Sequence, residues 1–163
     1  VSDRGGTVRL AMPMRNGRPV HELASVAQNF AGDVVRFQVP CVRLDDAELP
    51  PVGFIKIDVE QHEMAVLAGA EKTIEKYRPL VMTEVSALLY PRPLPEMFPH
   101  LTGLGYRGWF RFAGSYHPFS DFRPITHANP KLFPSPFMDN NVIFLPPGSN
   151  DDFLRVTRRG VSA

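Results

Sequence analysis

The chain has very few residues of the kinds that mark several common classes of protein. A single cysteine, Cys41, among 163 residues excludes an internal disulfide framework and a zinc cluster built from cysteines. No run of eighteen or more apolar residues occurs, so no membrane-spanning helix is predicted. Lysine and arginine number 18 against 17 aspartates and glutamates, and a net charge of +1 does not favour a nucleic-acid partner. We therefore expect a globular protein of the cytoplasm.

One stretch carries more chemistry than the rest of the chain. Residues 54–63 read Phe-Ile-Lys-Ile-Asp-Val-Glu-Gln-His-Glu, in which Ile55 and Ile57 share one face of a predicted β-strand. The strand is predicted to end at Asp58. Because the carboxyl ends of strands form the ligand crevice in an open parallel α/β sheet, we expect Asp58 to face a site. Three further ionisable residues follow within five positions: Glu60, His62 and Glu63.

The residues after this stretch complete a strand–helix–strand unit. Apolar residues at spacings of three and four, from Met64 to Tyr77, predict one helix, and Glu60 and Glu63 lie in its first turn. Pro79 closes the helix, because the residue before a proline is displaced from the helical conformation. Residues 79–84 then predict a second buried strand, which ends at Glu84. A βαβ unit of this kind predicts an α/β fold with a mostly parallel sheet.

The remaining sequence predicts a coarser outline. Residues 113–138 contain five prolines and predict a long irregular loop. By its length the chain is one domain, residues 1–149, which a polar tail follows at 150–163. Alternation of apolar and polar residues predicts further strands at 6–12, 34–44, 106–112 and 142–145. A short helix is predicted at 95–104.

The stretch at 54–63 resembles the signature of FkbM-type methyltransferases. Residues 42–46, Val-Arg-Leu-Asp-Asp, are similar to the short strand of that family that ends in a Leu-Asp pair. Residues 65–70 resemble its next helix, 78–84 its strand ending in glutamate, and 140–144 its closing strand. The family usually has glycine where this chain has Gln61, so we expect a difference in turn geometry or substrate fit.

The resemblance implies the C-terminal part of a Rossmann-like class I methyltransferase fold with a final antiparallel strand, and S-adenosylmethionine as the cofactor. Class I enzymes hold this cofactor with a glycine-rich turn between a strand and a helix. That turn is missing, since Gly5 and Gly6 precede a predicted strand and Gly69 lies inside the predicted helix. The chain also begins at Val1 and not at methionine. We therefore expect a part of a longer enzyme, inactive alone, with the cofactor site largely outside it.

The implied reaction is methyl transfer to a hydroxyl of a small molecule or a sugar. Asp58, Glu60 and His62 are the candidate catalytic residues, because a carboxylate or an imidazole can orient an acceptor and remove its proton. Lys56 and Glu84 are the candidate substrate-binding residues. Grouped carboxylates can also hold a divalent cation, but we assign no metal ligand.

Structural roles and other functions stay open for the same residues. Glu60 and Glu63 fall in the first turn of the predicted helix, where negative charge is favourable, and Asp58 can serve as a helix N-cap. The alternative function is a non-catalytic, truncated methyltransferase-fold module that mediates interaction or oligomerisation. A metal-dependent hydrolase is a third reading. The expected partner is a small-molecule or sugar acceptor, with no nucleic acid and no membrane, and homo-oligomer formation is left open.

Overall fold

The computed structural model describes residues 1–84, 98–123 and 138–150, with the backbone alone at 138–140. The predicted tail therefore lies outside the described residues beyond Asn150. In this part of the chain, no helix is both long and apolar enough to cross a membrane.

The chain divides into two compact units. The first comprises Val1–Val52 and Ile57–Tyr77, and the second comprises Gly53–Lys56 and the described residues from Arg78 onward. Together they contain strands and short helices, so the fold is mixed α/β, as the sequence predicts at this level.

An antiparallel sheet of three strands, in the order β2-β1-β3, forms one part of the first unit. Asn16 and Gly17 both have positive φ, at 52° and 73°, in the two-residue turn between β1 and β2. This backbone matches the twist of a hairpin, and Asn-Gly is the pair that adopts it most readily. Along β1 and β3, Val8 lies opposite Val39. The strands are β1 (Gly6–Arg15), β2 (Arg18–Pro19) and β3 (Val34–Cys41).

The single helix predicted over 64–77 is wrong, because the structure has two helices, α1 (Glu63–Ala68) and α2 (Glu71–Tyr77). Gly69 ends α1, and a Cβ atom there would overlap the backbone carbonyl of Ser2. The carboxylate of Asp45 accepts hydrogen bonds from two backbone N–H groups in the first turn of α2. The N···O distances are 3.2 Å for Lys72 and 2.8 Å for Thr73. Tertiary contacts from distant residues therefore divide a helix that the local pattern predicts as continuous.

The carboxylate of Asp45 is the N-terminal cap of α2 supplied from another part of the chain. It also accepts the Thr73 hydroxyl at 2.9 Å and pairs with Arg43 at 3.2 Å. Burial alone raises the pKa of Asp45, but the hydrogen bonds from Thr73 and Lys72 and the charge of Arg43 outweigh it. The net effect lowers the pKa below the usual 3.8, so the ionised form is part of the folded structure.

The second unit is built on a five-stranded sheet in the order β4-β5-β8-β6-β7. β8 runs antiparallel to both of its neighbours, β5 and β6, which agrees with the predicted final antiparallel strand. The prediction of a mostly parallel sheet is not confirmed, since β6 and β7 also form an antiparallel hairpin. β6 lies where a strand was predicted at 106–112, whereas β7 lies in the first part of the loop predicted at 113–138. The strands are β4 (Phe54–Ile57), β5 (Leu80–Glu84), β6 (Arg107–Phe112), β7 (Ser115–Pro118) and β8 (Met138–Leu145).

One short helix and a group of aromatic rings complete the described part of this unit. Helix α3 (Pro99–Gly103) ends in a Schellman motif, in which Gly105 has φ +81° and the N–H of Tyr106 bonds to the carbonyl of Leu101. Several aromatic rings pack against one another, and the rings in contact include Phe98, Phe110, Phe119, Phe122 and Phe144.

Candidate functional site

Two of the three predicted catalytic residues, Asp58 and His62, line one pocket of about 230 Å³ in the first unit. Asp58 is the first residue after β4, and His62 is the N-cap residue of α1. Both therefore lie on the turn that joins the strand to the helix, as the sequence predicts. The other lining residues have apolar side chains and come from the N-terminus, β1, the loop before β3, β3 and the turn itself: Val1, Val8, Leu10, Ala24, Val26, Val39, Pro40, Cys41 and Val59.

The turn between Asp58 and His62 has an unusual backbone. Glu60 and Gln61 both have positive φ, at 49° and 73°, a conformation that favours glycine. For residues other than glycine, this left-handed region costs roughly 1–3 kcal/mol each, and it persists only where the surroundings enforce it. Gln61 occupies the position at which the FkbM signature usually has glycine. The turn thus keeps a conformation that suits glycine although glutamine occupies it.

Ser25 is the main residue that holds this turn, and the sequence does not indicate it. Its hydroxyl donates to the backbone carbonyl of Glu60 at 2.6 Å and accepts the backbone N–H groups of Ala27 and Gln28 at 3.1 Å. The side-chain amide of Gln28 also donates to the Glu60 carboxylate, at 3.2 Å. Ser25 itself is buried and pairs with Ala11 of β1. The sheet therefore anchors the turn through one serine.

The carboxylates of Glu60 and Glu63 are engaged in the turn itself. Glu60 does not line the pocket, and its carboxylate accepts a hydrogen bond from the side-chain amide of Gln28. Glu63 is buried, and its carboxylate accepts the backbone N–H of Gln61 at 3.2 Å. These contacts support the structural explanation for Glu63. A catalytic role for Glu60 stays a prediction.

The imidazole of His62 is held by a second serine, Ser2. Nε2 of His62 lies 2.9 Å from the Ser2 hydroxyl, which donates its own proton to the Asp3 carboxylate at 2.9 Å. In that arrangement the serine oxygen accepts a hydrogen bond from Nε2–H, and Nδ1 is the basic nitrogen of the neutral ring. Burial is the largest influence on His62 and lowers its pKa below the usual 6.5. A neutral imidazole at physiological pH can accept a proton.

The backbone fixes Ser2 firmly beside the histidine. Its N–H donates to the carbonyl of Val42 at 2.9 Å, and its own carbonyl fits against Gly69. The side chain is buried, so its hydroxyl has a fixed set of neighbours. The absence of a Cβ at Gly69 is what lets the two backbones approach this closely.

The predicted substrate-binding residues lie on the sheet of the second unit. Lys56 is exposed on β4, and Glu84 is the half-buried last residue of β5, opposite Asn141 of β8. Neither is among the residues that line the pocket. Their role in binding a substrate stays a prediction.

The pocket is too small for the cofactor that the resemblance implies. Small-molecule and cofactor sites usually enclose about 300–1,000 Å³, whereas this pocket has about 230 Å³. The described lining residues therefore do not fit S-adenosylmethionine as a whole. Across residues 1–84, 98–123 and 138–150, no three side chains of histidine, cysteine, aspartate or glutamate are arranged to hold a metal ion.

Comparison with known proteins identifies the class of protein. A sequence model of the methyltransferase FkbM domain matches residues 7–107, which is more than half of the chain. The matched residues include the hairpin of β1 and β2, the turn between Asp58 and His62, helices α1 and α2, and strand β5. The chain therefore belongs to the FkbM family of methyltransferases. Searches of curated proteins and of solved structures found no match.

Proposed function

We propose that this protein transfers a methyl group to a hydroxyl of a small molecule, and that the pocket beside Asp58 holds the acceptor. The single observation that carries the proposal is the placement of Asp58 and His62 in one pocket of a chain that belongs to the FkbM family. A carboxylate and a neutral imidazole facing the same space are the groups that a hydroxyl acceptor needs.

Each of the two side chains has a distinct role in this proposal. The Asp58 carboxylate accepts a hydrogen bond from the acceptor hydroxyl and orients its oxygen. Nδ1 of His62 then takes the hydroxyl proton, because Ser2 occupies Nε2 and burial keeps the ring neutral. Ser2 acts on His62 and not on the acceptor, so it is a positioning residue. General-base catalysis of this kind contributes roughly 10²–10⁴ in rate.

S-adenosylmethionine supplies the methyl group in the proposed reaction. The cofactor does not fit this pocket as a whole, and the sequence has no glycine-rich turn between a strand and a helix, so we propose a cofactor site largely outside this chain. Lys56 and Glu84 remain proposed contacts for parts of the substrate beyond the pocket. We also propose that the isolated chain is inactive without the segment that binds the cofactor.

The test is single-turnover methyl transfer by the full-length enzyme and its variants. Asp58→Asn keeps the side-chain volume but removes the charge, and we expect a loss of roughly 10²–10⁴ in rate. His62→Gln should show a comparable loss, because it removes the base. Asp46→Asn is the matched control, since Asp46 is exposed and lies outside the pocket. Near-normal turnover by Asp58→Asn, with an unchanged melting temperature, would show that the pocket is not the reaction site.

A further inference from the structure

A series of hydrogen bonds connects three side chains between the protein surface and the pocket. Asp3 is exposed, Ser2 beside it is buried with 2% of its surface accessible, and His62 lines the pocket. The Ser2 hydroxyl lies 2.9 Å from a carboxylate oxygen of Asp3 and 2.9 Å from Nε2 of His62. An exposed carboxylate is thus linked to the ring of the pocket through one buried hydroxyl.

The Ser2 hydroxyl has a single proton, which can lie on only one of these two hydrogen bonds. An ionised carboxylate accepts hydrogen bonds and cannot donate one. The hydrogen bond from Ser2 lowers the pKa of Asp3 below its usual 3.8, so this carboxylate is ionised at neutral pH. The serine proton is therefore directed to Asp3, and the ring of His62 must supply the proton that lies between Nε2 and the serine oxygen.

Without the Asp3 carboxylate, the same hydroxyl would have a different partner. Among the described residues, the only other hydrogen-bond contact of this hydroxyl is Nε2 of His62. A hydroxyl that donates to Nε2 needs this nitrogen unprotonated, and the proton of the neutral ring then lies on Nδ1. Asp3 makes no hydrogen bond to the ring, yet its carboxylate decides which ring nitrogen is basic.

The charged groups near His62 act on the ring in a different way. Burial has the largest effect on the pKa of His62 and lowers it, and the nearby charges modify that pKa in both directions. Such charges change the balance between the charged and the neutral ring. The choice between the two neutral forms depends instead on the hydrogen bond that each ring nitrogen makes. The charged groups belong to the N-terminal segment, the turn after β4 and α1: the amino group of Val1, Asp3, Arg4, Asp58 and Glu63.

The backbone keeps Ser2 in place when Asp3 is replaced. The N–H of Ser2 donates to the carbonyl of Val42, and its own carbonyl lies against Gly69. Asp3 is exposed, so a substitution there leaves no cavity. We propose that Asp3 is a positioning residue, which acts through the Ser2 hydroxyl to keep Nδ1 of His62 as the basic nitrogen. This role rests on the proposed function, in which that nitrogen removes the proton of the acceptor.

The test is NMR spectroscopy of the two ring nitrogens of His62, in isotope-labelled protein at about pH 8, where a histidine is neutral. In the parent protein we expect the ring proton on Nε2. Asp3→Ala should move the proton to Nδ1 in most molecules, and Ser2→Ala should give a mixture of both forms because it removes both hydrogen bonds. The proposal is overturned by a proton on Nδ1 in the parent, or by one that stays on Nε2 in Asp3→Ala or in Ser2→Ala.

Arg4→Ala is the matched control, since it removes a charge from the neighbouring exposed residue. The charge of Arg4 lowers the pKa of His62 and that of Asp3 raises it. Arg4→Ala should therefore raise this pKa and leave the proton on Nε2, whereas Asp3→Ala should lower the pKa and move the proton. If Asp3→Ala lowers the melting temperature, Asp3→Leu replaces it as a variant of similar length without an oxygen. A proton that moves in Arg4→Ala as well overturns the proposal, because charge and not the hydrogen bond would then select the nitrogen.

Single-turnover methyl transfer by the full-length enzyme separates this proposal from the proposed function. We expect Asp3→Ala to lose roughly two- to tenfold in rate, because the strength of one hydrogen bond favours the competent form of the ring. A moved proton with an unchanged rate contradicts His62 as the base and leaves the role of Asp3 in the ring standing. A slower rate with the proton still on Nε2 overturns the role of Asp3 and leaves the proposed function standing.

Discussion

Replacing Gln61 by glycine should stabilise the protein. Gln61 has φ 73°, and the left-handed conformation costs an L-residue with a side chain roughly 1–2 kcal/mol relative to the right-handed one. Glycine removes that cost but loses about 0.5–1 kcal/mol more backbone entropy on folding than alanine does. The difference is a net gain of up to about 1.5 kcal/mol, with a middle value of ~0.75 kcal/mol. For a chain of this size, such a gain raises the melting temperature by roughly 1–4 °C.

The assay is thermal unfolding of the protein beside a matched variant. Gln38→Gly makes the same chemical change at an exposed position in the middle of β3, where φ is not positive. Glycine in a strand interior costs about 0.5–1 kcal/mol, so Gln38→Gly should lower the melting temperature. A melting temperature that rises in Gln61→Gly and falls in Gln38→Gly supports backbone strain at position 61. A melting temperature that falls in both would refute the reasoning, because it would show that position 61 does not need a left-handed backbone.

Three further predictions follow from the described contacts. Ser25→Ala should destabilise the protein by about 1–3 kcal/mol, because it leaves buried backbone groups of the turn without a partner. Chemical denaturation measures this change, and Ser120→Ala, at an exposed position, is the control. The lowered pKa of Asp45 stabilises the fold above pH ~3.9, and that contribution disappears as pH falls through the folded-state pKa. Asp45→Asn should therefore be less stable at pH 7 and less sensitive to acid, as urea unfolding from pH 7 to pH 2 will show, whereas Asp46→Asn should follow the parent protein. Residues 1–163 should not bind S-adenosylmethionine at sub-micromolar concentration, and calorimetric detection of such binding would contradict our placement of the cofactor site.

The order strand, turn, helix around Asp58 could be predicted from sequence because its causes are local. Ile55 and Ile57 alternate in a way that only a strand satisfies, and both are buried in the structure. A strand also forms where residues 79–84 predict one, and β5 begins one residue later, at Leu80. The division of the helix at Gly69 could not be predicted in this way. It depends on the carbonyl of Ser2 and the carboxylate of Asp45, which arrive from distant parts of the chain.

The antiparallel direction of β8 followed from the family resemblance and could not be predicted from the pattern of residues within the strand. Local alternation shows that a segment is a strand, but it does not show which neighbour the strand pairs with. β8 lies between β5 and β6, so one long-range pairing makes two neighbouring strand pairs antiparallel. β7 was missed because Ser115–Pro118 lacks a clear alternation and ends in proline.

In the candidate site too, residues from distant parts of the chain complete what the local sequence begins. Their hydrogen bonds explain how the turn tolerates Gln61 in a left-handed conformation. The two left-handed residues together cost about 2–6 kcal/mol. Ser25, Gln28 and Glu63 each contribute a hydrogen bond to the turn, and such bonds are worth about 0.5–1.5 kcal/mol apiece. The bonds therefore offset much of the strain that a glycine would avoid. Since strain of this kind persists only where the surroundings enforce it, these contacts hold the path of the backbone from Asp58 to His62. That path keeps both side chains on one pocket, which is the requirement of the proposed reaction.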